Sequence, residues 1–167
     1  MEYIYIGNIV NTHGIKGEIR IISYFEHKDK VFVPNKYIYV GDSKEQYRII
    51  RYRKHKNYDM ITLDGYNNIN QVLSLLKQKV YVKKEELNLA DDEYCYSELV
   101  GFEVYIKEEK KGLVSDIYLI DQTRRIMEVK TNGSIVKVPL HNDLIKLIDT
   151  NNKKIILQVP EGLFQWE

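Results

Sequence analysis

Apolar and polar residues alternate with a period of two along most of this chain, in short runs rich in Ile, Val and Tyr. That period places successive side chains on opposite faces of an extended backbone, and these residue types pack well on a pleated surface, so each run predicts a half-buried strand. In the first half the runs fall at residues 3–10, 17–23, 37–40, 47–53, 59–63 and 79–82. Turn-forming residues at 11–14, 41–43 and 55–58 separate them. One segment breaks the period. Asn68 is placed to cap a short helix whose Ile69, Val72, Leu73 and Leu76 recur at three- and four-residue spacing, a single apolar face suited to covering a barrel edge. The second half returns to alternation, at 102–106, 112–120, 125–130, 134–138, 144–148 and 154–159. The clearest hairpin flanks DTNNKK, where Asn151 and Asn152 tolerate positive φ.

Many short strands with one short helix predict an all-β protein of two small barrels. The boundary is set by composition. Residues 83–93, KKEELNLADDE, lack sustained apolar periodicity and turn from basic to acidic, which marks a linker at 84–93 between a first domain at 1–83 and a second at 94–167. Charge follows the same division. Residues 1–90 hold 15 Lys and Arg against 10 Asp and Glu, a net +5, and residues 91–167 hold 10 against 14, a net −4. The basic half suits RNA phosphate and the acidic half a basic or apolar partner. With 44% hydrophobic and 29% charged residues the chain has material for packed cores and too little charge bias for disorder.

Candidate chemistry narrows the function classes. The lone cysteine, Cys95, excludes an internal disulfide and a cysteine-based metal cluster, and fits a reducing cytosol. The first ten residues read as a strand, with neither an export signal nor a membrane span. GNIVNTHGIKGEIRI sets Gly14 and Gly17 about a basic residue, Lys16, in a loop between strands. A nucleotide-binding P-loop needs a Gly-Lys-Ser/Thr end and a following helix, so ATP or GTP binding is not inferred. His13 sits in that turn and, with no nucleophile motif and no metal-like histidine spacing, is read as an RNA contact. The densest basic run, RIIRYRKHK, offers Arg48, Arg51, Arg53, Lys54 and Lys56 beside Tyr47 and Tyr52. On a strand Arg51 and Arg53 share one face, where guanidinium groups reach phosphate and rings stack on unpaired bases; a solvated hairpin tip is the bland alternative. At the junction, DEYCYSELVGFEV gathers Tyr94, Tyr96, Leu99 and Val100 beside Asp91, Asp92, Glu93 and Glu98. Such aromatics anchor protein partners or close a domain core, and the residues alone leave both open. The paired carboxylates lie in polar segments without an apolar pocket and are not read as acid/base catalysts.

Two separated stretches combine into a resemblance. GNIVNTHGIKGEIRI and then YRKHKNYDMITLDGYNNINQVLSLLKQKVYV are similar to the N-terminal domain of the RimM family, with His55, Gly65 and Leu76 in matching places. ELVGFEV, residues 112–116, VPLHNDLIKLID and VPEGLFQ resemble a PRC barrel, so that nearly the whole chain is covered in the expected order. The resemblance implies an N-terminal barrel like domain two of translation GTPases, a short linker and the PRC barrel. It implies a cytoplasmic, monomeric ribosome maturation factor without cofactor, metal or catalytic residue. Its implied partners are the 30S subunit precursor and its 16S rRNA, and in the head small-subunit ribosomal protein nineteen, with no membrane. The family's aromatic cluster at the start of the PRC barrel falls on Tyr94, Cys95 and Tyr96, next to Leu99; two tyrosines and a tryptophan are usual there, and Glu98 stands where aspartate is common. A general RNA-binding module acting through the first barrel alone is the alternative.

Overall fold

A computed structural model describes residues 2–159. The alternating runs become twelve strands: β1 (Tyr3–His13), β2 (Glu18–Ile22), β3 (Tyr37–Val40), β4 (Glu45–His55), β5 (Tyr58–Leu63), β6 (Lys79–Lys83), β7 (Glu103–Ile106), β8 (Glu109–Leu119), β9 (Arg125–Lys130), β10 (Ile135–Pro139), β11 (Ile145–Asp149) and β12 (Lys154–Leu157). The chain divides into two compact units, Met1–Ala90 and Asp91–Glu167. Between the barrels' strands the expected linker holds a 3-10 turn over Lys84–Leu87, and Leu87 is buried. Among the described residues no helix is long and apolar enough to cross a membrane.

The first unit closes into a barrel in the order β1-β2-β5-β4-β3-β6, with β6 pairing back onto β1. Closure of six strands demands bent strands, and bulges supply the bends: β1 shifts register between Tyr5 and Gly7 and again between Ile9 and Asn11, and β4 between Ile49 and Arg51. The lumen is filled by Ile4, Ile6, Ile9, Ile19, Ile21, Ile38, Ile49, Ile61 and Leu63, none more than 5% exposed. Asn68 caps the helix as expected, accepting the Asn70 N–H at 2.7 Å.

That helix is shorter than the spacing predicts, and its apolar face differs. Only Ile69–Val72 (α1) is α-helical; Leu73–Leu75 tightens to a 3-10 turn. At three residues per turn the inward position after Val72 falls to Leu75, so Leu75 is buried and Leu73 is 49% exposed.

The second unit is a six-stranded sheet in the order β10-β9-β8-β7-β12-β11, with β7 and β12 parallel and the remaining pairs antiparallel. Its end strands β10 and β11 share no ladder among the described residues. The sheet nevertheless curls round one core, because Val104, Val114, Met127, Val138 and Ile155 come from five strands and β11 adds Ile145 and Ile148. The DTNNKK hairpin forms, but positive φ falls on Lys153 (+55°) rather than on the asparagines. The reason is local: Asn152 spends its backbone N–H (3.0 Å) and side-chain amide (2.7 Å) on the Asp149 carboxylate, leaving the left-handed step to the next residue. Pro139 ends β10 as expected; Pro160, Trp166 and the VPEGLFQ segment beyond Val159 lie outside the described residues.

Candidate functional site

One rim of the first unit, where the β1–β2 loop faces β4, gathers several of its basic groups. Gly14 and Gly17 both take positive φ (+68° and +87°). At Gly17 the reason is also steric, since a Cβ there would lie 2.9 Å from the Tyr66 carbonyl oxygen. The Ile69 N–H donates to the Ile15 carbonyl at 2.9 Å, fastening the loop to the start of α1. Beside it opens a groove of about 760 Å³ lined by His13, Lys16, Arg51, Tyr52 and Arg53 among others.

Within this rim the basic residues expected to meet RNA are not equivalent. Arg53 is held by Glu18 through two hydrogen bonds of 2.8 and 2.7 Å, and the same bonds keep the Glu18 carboxyl below the usual carboxylate range. Arg48 is bound to Asp64 at 2.8 Å and to Asn35 at 3.0 Å. Lys16, Arg51, Lys54 and Lys56 are exposed and have no carboxylate partner among the described residues. His13 Nδ1 accepts from the Arg20 guanidinium at 2.8 Å, and its ring lies 5.7 Å from that of His55. Partial desolvation, then Arg53 and Lys56, hold the His55 imidazole below its ordinary value, so it stays neutral at neutral pH.

In the second unit, Tyr96–Leu99 forms a 3-10 turn closed by reciprocal caps: the Cys95 side chain accepts the Glu98 N–H, and the Cys95 N–H donates to the Glu98 carboxylate at 2.9 Å. The Gly101 N–H, with φ +94° at that residue, bonds to the Val114 carbonyl at 2.8 Å and ties the turn to β8. This sets the Tyr94 and Tyr96 rings edge to face, 5.9 Å apart, with the Arg125 guanidinium 4.6 Å from the Tyr96 ring centre. Both tyrosines are half-buried against the core and Asp91 and Asp92 are exposed beside them.

Of the four residues expected to contact a protein partner, Tyr94 and Tyr96 present surface. Leu99 is a correction: it is wholly buried in the core, and the exposed apolar neighbour is Val100 at 48%. Cys95 is buried and its side chain is taken up as the cap of the turn. The turn rather than either residue's surface is what they contribute. Sequence reasoning also passed over Arg20, which joins the rim only through His13 and through its place 5.4 Å from the Tyr58 ring.

Comparison with known proteins gives two family matches, the RimM N-terminal domain over residues 4–87 and the PRC-barrel domain over 91–164. The chain is 34% identical to the ribosome maturation factor RimM of Ligilactobacillus salivarius (strain UCC118), covering 98% of this chain and 99% of that protein. It is 32% identical to the protein of the same name from Bacillus mycoides (strain KBAB4), over 95% and 96% of the two chains. The solution structure of the N-terminal domain of RimM from Thermus thermophilus is also similar, with 16% identity and a TM-score of 0.46 over 53% of this chain and 98% of that one.

Proposed function

From the premise that this chain belongs to the RimM family, we propose that it is a ribosome maturation factor, a non-enzymatic chaperone that binds the immature head of the 30S subunit and promotes small-subunit assembly and 16S rRNA processing. The observation that carries this reading is the match along nearly the full length, 98% of this chain and 99% of the relative, to a protein named for ribosome maturation.

The two units divide the work by charge. The rim of the first barrel, with Lys16, Arg51, Lys54 and Lys56 available, meets 16S rRNA; Arg48 and Arg53 join it only by exchanging their carboxylate partners for phosphate. Tyr94 and Tyr96, set on a capped turn and flanked by carboxylates, anchor small-subunit ribosomal protein nineteen, and Cys95, Leu99 and Glu98 hold that anchor in shape. A rigid turn lowers the ordering cost of binding. Because a ligand shifts an equilibrium only by its differential affinity, the factor prefers an immature conformation of protein and RNA, and loses its site when the head folds.

Co-sedimentation with immature and mature small subunits at two salt concentrations tests this, alongside Tyr94→Ala/Tyr96→Ala. Selective binding to immature particles, lost in the variant, is the expected result. Equal binding to any RNA, weakened by salt and indifferent to the two tyrosines, would leave a general RNA-binding module and overturn the reading.

A further inference from the structure

The outer face of the first barrel carries a second constellation, on the side away from the basic rim. Around the barrel β6 lies three places from β5 in either direction, so the face formed by β3, β6 and β1 is opposite the one centred on β5. Tyrosines and lysines cluster there, together with Asn8, Gln46 and Glu86, and Tyr39 is buried among them. The rings of Tyr3 and Tyr39 meet edge to face at 5.3 Å, and those of Tyr5 and Tyr81 at 6.0 Å. Three lysines lie over these rings: Lys44 at 4.1 Å from Tyr81 and 5.8 Å from Tyr3, Lys83 at 4.9 Å from Tyr39 and 5.9 Å from Tyr3, and Lys79 at 5.7 Å from Tyr5. None of the three has a carboxylate partner among the described residues.

We infer that this face is a second RNA surface, a stacking platform for an unpaired strand, in which Tyr5 and Tyr3 receive bases and Lys44, Lys79 and Lys83 receive the phosphates between them. Three observations carry it. The rings are available, Tyr5 being 51% and Tyr3 37% exposed. They are also preorganised: the Tyr5 hydroxyl donates to Asn8 at 3.0 Å, and the Tyr3 ring rests edge to face on Tyr39, a buried ring whose hydroxyl donates to Glu86 and accepts from Gln46 at 3.2 Å, so little freedom remains to be lost on binding. Finally the cations meet no carboxylate among the described residues, and Lys44 Nζ donates to the Asp42 carbonyl across a long 3.4 Å. A lysine ammonium on a four-carbon stem resting over a ring trades that weak contact for a phosphate without moving the backbone, which uncovers the ring for a base.

An unpaired strand supplies both halves of the complement, anionic phosphates and π-faces, and stacking of this kind is tolerant of sequence. A duplex hides its bases and meets only the lysines. The inference goes beyond the basic rim and the tyrosine turn, and gives the protein a grip on a segment of RNA different from the one at the rim.

The test uses the full chain and a fluorescent oligouridylate of about twelve nucleotides, a length within the usual site size, with the same length of duplex RNA as comparison. Tyr5→Ala should weaken single-strand binding by about fivefold or more, the loss of one base stack, while Tyr5→Phe, which gives up only the bond to Asn8, keeps most of it. Lys44→Ala/Lys79→Ala should weaken it and flatten its salt dependence. Arg51→Ala/Lys54→Ala, at the rim, should leave the ultraviolet crosslink between the strand and Tyr5 in place. Thermal unfolding of Tyr5→Ala near that of the parent separates loss of stacking from loss of fold. Binding by Tyr5→Ala and the lysine variant equal to the parent's, or a Tyr5→Phe loss as large as that of Tyr5→Ala, overturns the proposal.

Discussion

At the scale of single residues, the least expected group is Asp59. It stands in a strand, between apolar neighbours, fully buried, and its carboxylate accepts from Lys28 at 2.6 Å and from the Tyr52 hydroxyl at 2.7 Å. Burial, then Asp59, push the Tyr52 hydroxyl well above the usual phenol range, which keeps it a donor at any physiological pH. Phe32 stacks on the Tyr52 ring at 5.9 Å, closing water out from one side. A buried carboxylate robbed of its cation is costly. Lys28→Ala should therefore destabilise the first unit by about 2–3 kcal/mol, somewhat less than for a fully buried pair because the lysine side chain is 26% exposed. Urea unfolding measures it; a loss under about 0.5 kcal/mol, typical of a surface pair, would contradict the role given to this network.

At the scale of elements, glycines without unusual φ do the shaping. Gly7 sits at the first bulge of β1, where an added Cβ would lie 2.4 Å from the Ile22 carbonyl oxygen. Gly112 occupies the like position in the second unit, its Cβ 2.2 Å from the Lys130 carbonyl oxygen. In both, two strands approach more closely than any side chain permits, which is what a strand glycine signals. Gly7→Ala should cost about 1–3 kcal/mol by forcing β1 and β2 apart, read as a lower denaturant midpoint. An unchanged midpoint would mean that closure does not depend on this approach. The helix shows the opposite lesson: its cap was legible in Asn68, but its face was not, because a switch from 3.6 to three residues per turn is decided by what Leu75 packs on.

At the scale of the molecule, each unit has its own core and its own charge, net +5 over residues 1–90 and net −4 over 91–167. A chain ending after Ala90 should therefore retain a cooperatively unfolding barrel, followed by circular dichroism, yet lose most of its affinity for immature small subunits. Undiminished binding by that fragment would assign subunit recognition to the first barrel alone.

The sequence by itself determined the strands, the cap of the helix and the division into two β units, because period-two alternation, turn residues and composition are local properties that survive any tertiary arrangement. Only the tertiary structure decided which groups are available. Arg53 is neutralised by Glu18 and Asp59 by Lys28, 35 and 31 residues away; Leu99 turns inward while Val100 turns out. The tyrosine–lysine face had a trace in sequence, since Tyr3 and Tyr5 share one parity and Lys79, Tyr81 and Lys83 another run of the same kind. It becomes a surface only where β1, β3 and β6 are brought side by side. Charge pairing and ring stacking act between strand neighbours, and strand neighbours are set by register across the barrel rather than by distance along the chain.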